Sequence, residues 1–308
     1  MGTYRRIFNL KFLIMNKIIV MLGPTASGKT SLSIKLAKLF NGEVISADSR
    51  QVYKGMDIGT GKITKKEMQG IPHHLLDVAS PKSRFTVTKF KELGQKAILN
   101  IIKKNKLPFI VGGTGFYIDS LFNDNFIPEV KPDWKLRKKL EKLTKQQLFA
   151  KLKKLDPRRA KNIDRNNPRR LIRAIEIVLK TKMPVPLIKA PQLKYNVLFL
   201  GIKHDKDELK KLIHKRLIER LNFGMLDEAK KLRKIISFKK MEDFGLEYRY
   251  MALYLQKKIT YDEFVSRLEK EIEHYAKRQM TWFKRNRKTQ WVKSKKEAMK
   301  SIDRFMKI

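Results

Sequence analysis

Short apolar runs and helical periodicity alternate along the first part of this chain. Residues 17–22, 43–46 and 107–111 form short apolar stretches of the length expected for buried strands. Between the last two, residues 86–104 carry apolar side chains at helical spacing, namely Phe90, Leu93, Ala97, Ile98, Ile101 and Ile102. Strands that alternate with helices in this way predict a parallel sheet covered by helices on both faces.

A different pattern occupies the middle of the chain. After Pro128 and Pro132, residues 133–182 are basic and helical in pattern, and Asn167-Pro168 is typical of a helix start. Residues 196–202 predict a return to a buried strand, residues 205–286 predict further helices, and residues 290–292 predict a last short strand. We therefore predict an α/β fold with a mostly parallel sheet. Its core covers 17–127 and 196–308, with basic helices at the C-terminus, an all-helical insertion over 128–195, and an N-terminal extension over 1–16.

The segment between the first predicted strand and the first predicted helix has the spacing GxxxxGK[ST] of a phosphate-binding loop. Glycines let such a loop wrap tightly, so that its N–H groups point at an anion, and the following helix adds the positive end of its dipole. The lysine supplies a mobile charge, and the final hydroxyl can hold a magnesium ion. A glycine-rich turn with an incidental lysine is the alternative. The loop consists of Gly23, Pro24, Thr25, Ala26, Ser27, Gly28, Lys29 and Thr30.

Composition adds charge and redox constraints. Lys and Arg number 71 against 30 Asp and Glu, which gives a formal net charge of +41 and makes nucleic acid the first candidate for a partner. A genome that favours lysine codons is the alternative. The chain has no cysteine, which excludes disulfides and thiolate zinc sites and is compatible with the reducing cytoplasm, where we expect the protein. No stretch is long and apolar enough to span a membrane.

A carboxylate, Asp48, comes just after the second predicted strand. Open α/β sheets bind ligands at the carboxyl ends of their strands. Asp48 can therefore abstract a proton, hold magnesium through water, or cap a following helix. His73, His74 and Asp77 are weaker candidates for a metal site, because adjacent histidines on an extended chain point to opposite sides. We assign those histidines a structural role.

Six segments carry a resemblance to a known family. In chain order they are GPTASGKT, ISADSRQVYKGMDIGTGK, PHHLLD, VGGTGFYI, NPRRLIRAIE and KRQMTWFKR. Together they resemble the tRNA dimethylallyltransferase family of bacterial type, and the likeness runs from about Lys17 to about Val292. Many kinases and ATPases share the phosphate loop, whereas DSRQVYKGMDIGT combined with VGGTG is far more specific. The segment Phe244–Arg249 departs from the family's common form.

The resemblance implies transfer of a dimethylallyl group from dimethylallyl diphosphate to N6 of adenosine 37 in tRNA, with release of diphosphate. By family correspondence Asp48 is the general base for the poorly nucleophilic amine, and Thr25 and Arg216 are further catalytic residues. The phosphate loop, Lys29 and a magnesium ion on Thr30 would stabilise the leaving diphosphate. Arg216 and Arg220 share a helix face, so either is a candidate diphosphate ligand, and a solvated face is the alternative. ATP binding in the loop stays open.

The same resemblance implies a set of tRNA contacts. They are Asp48, Ser49, Arg50, Gln51, Thr114, Arg169, Arg170, Arg173, Arg278 and Gln279. Thr114 is equally well explained as a helix cap, the arginines of the insertion as an ordinary basic surface, and the nearby Trp282 as a core residue. We expect the tRNA anticodon stem-loop as partner, with the target base turned out of its loop, and a monomeric enzyme.

Three other functions stay open from the residues alone. A P-loop kinase of a nucleoside or small metabolite needs neither an arginine-rich insertion nor a basic C-terminal block. An adenylate isopentenyltransferase alkylates free nucleotide and likewise does not require them. An ATP-dependent RNA-binding protein or remodeller would need an apolar strand that ends in paired acidic residues, and the sequence contains none.

Overall fold

The computed structural model describes residues 17–122, 130–186 and 195–307. The contacts divide the chain into two compact units, one of Met1–Phe122 with Leu193–Ile308 and one of Asn123–Gln192. The predicted extension over 1–16 lies outside the described residues, as do Pro128, Pro191 and the predicted boundary at 127–128. The domain boundaries therefore stay predictions.

The first unit begins with the alternation of strands and helices that the apolar pattern predicts. Its elements up to residue 122 are β1 (Lys17–Leu22), α1 (Lys29–Leu39), β2 (Gly42–Ser46), β3 (His73–His74), α2 (Val87–Lys103), β4 (Leu107–Val111) and α3 (Gly115–Phe122). Every residue of β1, β2 and β4 is buried, which explains why their sequences are mostly apolar. Thr86 caps α2 by accepting a hydrogen bond from the backbone N–H of Lys89.

Over its described residues, 130–186, the second unit contains four helices, which are α4 (Trp134–Leu140), α5 (Lys145–Leu155), α6 (Pro157–Lys161) and α7 (Pro168–Thr181). Asn167 caps α7 by accepting from the backbone N–H of Arg170, and Pro168 occupies its first turn as predicted. Inside the unit the fully buried Glu176 accepts hydrogen bonds from Arg137, Arg173 and the backbone of Asp133. Burial alone would raise the pKa of Glu176, but these donors outweigh it and lower that pKa to about 2.

The chain then returns to the first unit. Its remaining elements are β5 (Asn196–Ile202), α8 (Lys206–Asn222), α9 (Met225–Arg233), α10 (Phe238–Phe244), α11 (Leu246–Leu255), α12 (Tyr261–Phe283), β6 (Gln290–Val292) and α13 (Lys295–Lys307). Among the described helices, none combines the length and apolarity needed to cross a bilayer.

The described strands form one six-stranded parallel sheet with the order β3-β2-β4-β1-β5-β6. Side chains alternate across β1, so that Ile18 and Val20 pack on the layer that contains α2 and α3, whereas Ile19 and Met21 pack with α1 and α13. Helices α8 to α12 form a third apolar cluster with residues 52–56. The predicted α/β fold is confirmed, and it gathers the loops after β1, β2 and β4 at one edge of the sheet.

The edge strand β3 is an element that the sequence pattern did not predict. It pairs in parallel with β2, where His74 Nε2 lies 2.7 Å from Oε2 of the buried Glu43. The ring of His73 instead contacts the carbonyl oxygen of Ile71, and Asp77 pairs with Lys62. The two histidines therefore have separate partners, in keeping with the structural role assigned to them.

Candidate active site

The phosphate loop connects β1 to α1 and keeps the backbone geometry of an anion cradle. Gly28 has φ +76°, a left-handed conformation that favours glycine, and as the N-cap residue of α1 it provides no side-chain hydrogen bond to the helix. The first turn of α1 contains no acidic residue. The N–H groups at the start of the helix are thus available to an anionic ligand.

Lys29 reaches across this loop, and its ammonium group donates a 2.7 Å hydrogen bond to the carbonyl oxygen of Pro24. Burial and the nearby charge of Arg216 lower the pKa of Lys29 to about 7, and the carboxylate of Asp48 opposes that shift. Lys29 is half-buried, and among the described residues no carboxylate forms an ion pair with its ammonium group, so an anion that binds beside it would stabilise the charge. Lys29 is therefore suitably placed to bind a phosphate group.

Two arginines of α8 continue the same positive region. Arg216 donates to the hydroxyl of Thr25 over 3.4 Å, and burial together with Arg220 lowers the pKa of Arg216 to about 10. Arg220 is 11% exposed and pairs with Glu247, which is 13% exposed, over 3.2 Å. A solvated helix face, the alternative for these arginines, is wrong because both side chains turn into the protein.

Gly61 lies directly beneath both guanidinium groups. Its φ is +58°, and a Cβ built on it would overlap Nη2 of Arg216 and of Arg220. Arg220 also donates to the carbonyl oxygen of Gly59, and Gln51 Nε2 donates to that of Gly61. The loop over 57–61 thus lies against both guanidinium groups, and we call it the floor of the site.

Asp48 stands after β2, at the carboxyl edge of the sheet. Its Oδ1 accepts from the backbone N–H of Arg50 at 2.8 Å and of Gln51 at 3.3 Å. A turn rather than a helix follows, so the helix-cap alternative for Asp48 is wrong. The carboxylate is half-buried and close enough to interact electrostatically with Lys29 and Arg216. Two acid groups, Asp48 and Glu247, therefore share one site with three cations.

Thr114 joins this site from the turn after β4. Its hydroxyl accepts from the backbone N–H of Ser49 at 3.1 Å, and its own N–H donates to the carbonyl oxygen of Ala47. Its backbone carbonyl receives the first hydrogen bonds of α3, from Tyr117 and Ile118. The hydroxyl thus links the loops after β2 and β4 instead of capping its own helix.

The predicted tRNA contacts occupy different environments. Arg169 and Arg170 are exposed on α7, whereas Arg173 is half-buried and bonded to Glu176 and to the carbonyl oxygen of Val130. Arg278 is exposed and pairs with Glu271 over 2.7 Å. These positions leave the RNA roles of the arginines as predictions, with Arg173 engaged inside its own unit.

Three further residues of the set have partners inside the first unit. The guanidinium of Arg50 lies 5.7 Å from the centre of the Phe244 ring, and Gln51 accepts from the hydroxyl of Ser46. Gln279 is only 5% exposed and bonds to Thr25 and to Gly113. Gln51 and Gln279 therefore help to build the site from within.

Trp282 is explained by packing. Its indole lies against Gly115, where a Cβ would overlap the ring, and its Nε1 donates to Asp119 at 2.8 Å. Its partly buried ring also packs against the core cluster of α2 and α3. The core interpretation of Trp282 therefore fits the structure.

Glu228 is a residue of the site that the sequence analysis missed. Its carboxylate accepts from the backbone N–H groups of Asp57, Ile58 and Gly59 at 2.7 to 3.0 Å, and also from the hydroxyl of Tyr248. It thereby anchors the loop that carries Gly61. No local spacing signals this role, because the loop is about 170 residues away in sequence.

Comparison with known proteins identifies the family. The family model described as IPP transferase matches residues 51–286. A tRNA dimethylallyltransferase of Acetivibrio thermocellus is 41% identical over 302 residues, which cover 95% of this chain and 96% of that protein. The corresponding protein of Anoxybacillus flavithermus is 40% identical over 280 residues and covers 89% of each chain.

Solved structures agree with this assignment. A full-length tRNA isopentenylpyrophosphate transferase of Bacillus halodurans has a TM-score of 0.73 at 36% identity, and the match covers 95% of this chain and 97% of that one. A eukaryotic dimethylallyltransferase, solved in the course of acting on tRNA, has a TM-score of 0.74 at 31% identity, with 87% and 69% covered. The chain therefore belongs to the IPP transferase family.

Proposed function

We propose that this protein transfers a dimethylallyl group from dimethylallyl diphosphate to N6 of adenosine 37 in tRNA and releases diphosphate. The observation that carries the proposal is the convergence of Lys29, Arg216 and Arg220 with the carboxylate of Asp48 at one edge of the sheet. The cations suit a diphosphate donor, and the carboxylate suits an acceptor that must lose a proton.

The donor's diphosphate would occupy the phosphate loop. Backbone N–H groups at the start of α1 face the anion, and Lys29 turns from the carbonyl oxygen of Pro24 toward a phosphate oxygen. Arg216 and Arg220 add planar donors that match phosphate oxygens. As the allylic C–O bond breaks, negative charge grows on the leaving diphosphate, and these groups are already in place to stabilise it.

A magnesium ion fits this arrangement if phosphate oxygens of the donor supply most of its ligands. The described residues contain no group of three or more acidic or histidine side chains that could hold a metal by themselves. The exposed Thr30, in the first turn of α1, offers one hydroxyl oxygen, and Mg²⁺ readily combines such a ligand with phosphate oxygens and water. When bound, the ion would neutralise part of the diphosphate charge.

Asp48 would act on the acceptor. The N6 amine of adenine is weakly nucleophilic because its lone pair is delocalised into the ring. As N6 bonds to the allylic carbon, its proton would pass to the carboxylate of Asp48. Two backbone N–H groups hold Oδ1 of that carboxylate, which fixes its orientation beside the donor site.

The RNA would reach this site through basic surfaces. Exposed arginines on α7 and α12 are Arg169, Arg170 and Arg278. Their guanidinium groups suit the phosphates of an anticodon stem-loop. The target adenine would leave its stack to enter the site, and its position in a loop lowers the cost of that step.

The test is a transfer assay with isotopically labelled dimethylallyl diphosphate. Unmodified tRNA, AMP and ATP are offered separately as acceptors, with and without Mg²⁺. We expect label on adenosine 37 of tRNA and on neither nucleotide. Label on AMP or ATP would instead identify an adenylate isopentenyltransferase, and phosphate transfer from ATP to a small acceptor would identify a kinase.

A further inference from the structure

Gln279 lies on α12 but points into the protein. It is 5% exposed, and both ends of its side-chain amide are engaged. Its Oε1 accepts from the backbone N–H of Thr25 at 2.8 Å, and its Nε2 donates to the carbonyl oxygen of Gly113 at 2.9 Å. One side chain thus ties the phosphate loop to the turn after β4.

Gly113 provides the space for this amide. A Cβ built on Gly113 would overlap Nε2 of Gln279, and beyond its chain neighbours no other described residue lies within 4 Å of that Cβ. The methyl group of an alanine at this position would therefore act on the amide of Gln279. The two residues form a matched pair.

The pair belongs to a chain of hydrogen bonds that crosses the site. Thr25, in the proposed donor loop, donates its backbone N–H to Gln279, and Gln279 donates in turn to the carbonyl oxygen of Gly113. The next residue, Thr114, accepts from Ser49, the neighbour of Asp48. The loop that would bind the diphosphate and the loop that carries the carboxylate are therefore connected through the amide of Gln279 and the hydroxyl of Thr114, in addition to backbone bonds from Gly112 to Met21 and from Thr114 to Ala47.

We propose that Gln279 is a positioning residue that fixes the spacing between the donor loop and Asp48, and that it does not contact the tRNA. The proposal rests on the proposed function, because spacing matters only if donor and acceptor react across it. A displacement of about 1 Å between reacting groups can lower a rate about 100-fold without loss of binding. Gln279 would thus affect the transfer step.

The first test measures the link without any activity assay. Gly113→Ala, Gln279→Ala and the double variant are unfolded with urea, and their free energies of unfolding are compared with that of the parent protein. We expect Gly113→Ala to destabilise the parent but to have little effect when Gln279 is already Ala. An equal effect in both backgrounds would overturn the pairing.

The second test separates positioning from RNA contact. Gln279→Met keeps the length of the side chain and removes both hydrogen bonds, whereas Gln279→Glu keeps only the acceptor for Thr25. We expect the single-turnover transfer rate at saturating substrates to fall about 10- to 100-fold for Met. The tRNA dissociation constant, measured by filter binding, should change less than about threefold. The transfer rate of the Gln279→Glu variant should also fall, because a carboxylate cannot donate a hydrogen bond to the carbonyl oxygen of Gly113.

A control and two contrary outcomes complete the design. Lys270→Ala changes an exposed residue of α12. It should leave the transfer rate and the affinities for tRNA and dimethylallyl diphosphate unaltered. Weaker tRNA binding by Gln279→Met, with a normal rate at saturation, would make Gln279 an RNA contact and overturn the proposal. If the parent protein transfers nothing to tRNA, the proposed function fails, while the unfolding cycle still reports on the pair.

Discussion

At the scale of single residues, Lys29 carries a charge that depends on pH near neutrality. Burial and Arg216 lower the pKa of its ammonium group to about 7. A bound diphosphate favours the charged form and would raise that pKa. At the proposed donor site, binding of dimethylallyl diphosphate and protonation of Lys29 would therefore be coupled.

Donor affinity should fall as pH rises above about 7. Below that pH Lys29 is already charged in the free protein, so the binding free energy includes its full attraction for diphosphate. Above it, binding must also take up a proton, and each pH unit should weaken binding by up to about tenfold. Isothermal titration with dimethylallyl diphosphate in buffers of different ionisation enthalpy measures both the affinity and the proton uptake.

Lys29→Arg is the matched control for that measurement. An arginine keeps its charge over the whole range, so its donor affinity should vary little between pH 7 and 9. An equal pH dependence in both proteins would mean that another group titrates.

Asp48 is the second residue whose role can be isolated. Asp48→Asn keeps the size of the side chain and an oxygen for the backbone N–H groups of Arg50 and Gln51, but it cannot accept a proton. We expect the single-turnover transfer rate to fall at least about 100-fold, with both substrate affinities little changed. A near-normal rate would remove Asp48 as the base.

At the scale of elements, the floor of the proposed donor site is the loop over 57–61. Glu228 anchors its backbone from α9, and the loop in turn supports Arg216 and Arg220 from α8. Two helices and a loop thereby set the position of both guanidinium groups. A substitution in the loop should therefore change donor affinity by moving the two arginines.

Gly61→Ala should weaken donor binding about tenfold or more, because the new methyl group overlaps both guanidinium groups. Gly55→Ala is a matched control, since Gly55 also has a positive φ, of +70°, but open space around its Cβ. It should destabilise the fold by about 1 kcal/mol and leave donor affinity unchanged. Equal donor affinities in the two variants would refute the role of the floor.

The elements also show what local sequence can and cannot predict. Strands β1, β2, β4 and β5 and helix α2 follow from apolar runs and spacing, because burial on a sheet or along one helix face imposes those patterns. β3 has only two residues, both histidines, and therefore carries no such pattern. The roles of Glu228 and Gln279 depend on backbone partners 166 to 254 residues away, which no local signal reveals.

At the scale of the whole molecule, the net charge of +41 must be matched by a partner or by salt. Binding of tRNA should consequently release counterions. The exposed arginines of α7 lie among the residues whose charge would contribute to that release.

tRNA affinity should fall steeply between 50 and 200 mM salt, by about 1,000-fold if six or more phosphates are contacted. Replacement of both Arg169 and Arg170 by Ala should reduce the slope of log affinity against log salt by about two. Replacement of the exposed Lys153 and Lys154 by Ala removes the same charge and should reduce it less. A flat salt response of the parent protein would contradict docking through basic surfaces.

The most direct test of the account is a crystal structure with the unreactive thio analogue of dimethylallyl diphosphate and Mg²⁺. We expect the diphosphate to lie in the loop over 23–30, with Lys29 turned toward it, Arg216 and Arg220 against its oxygens, and the allylic carbon facing Asp48. A diphosphate bound elsewhere, or an allylic group directed away from Asp48, would contradict the account.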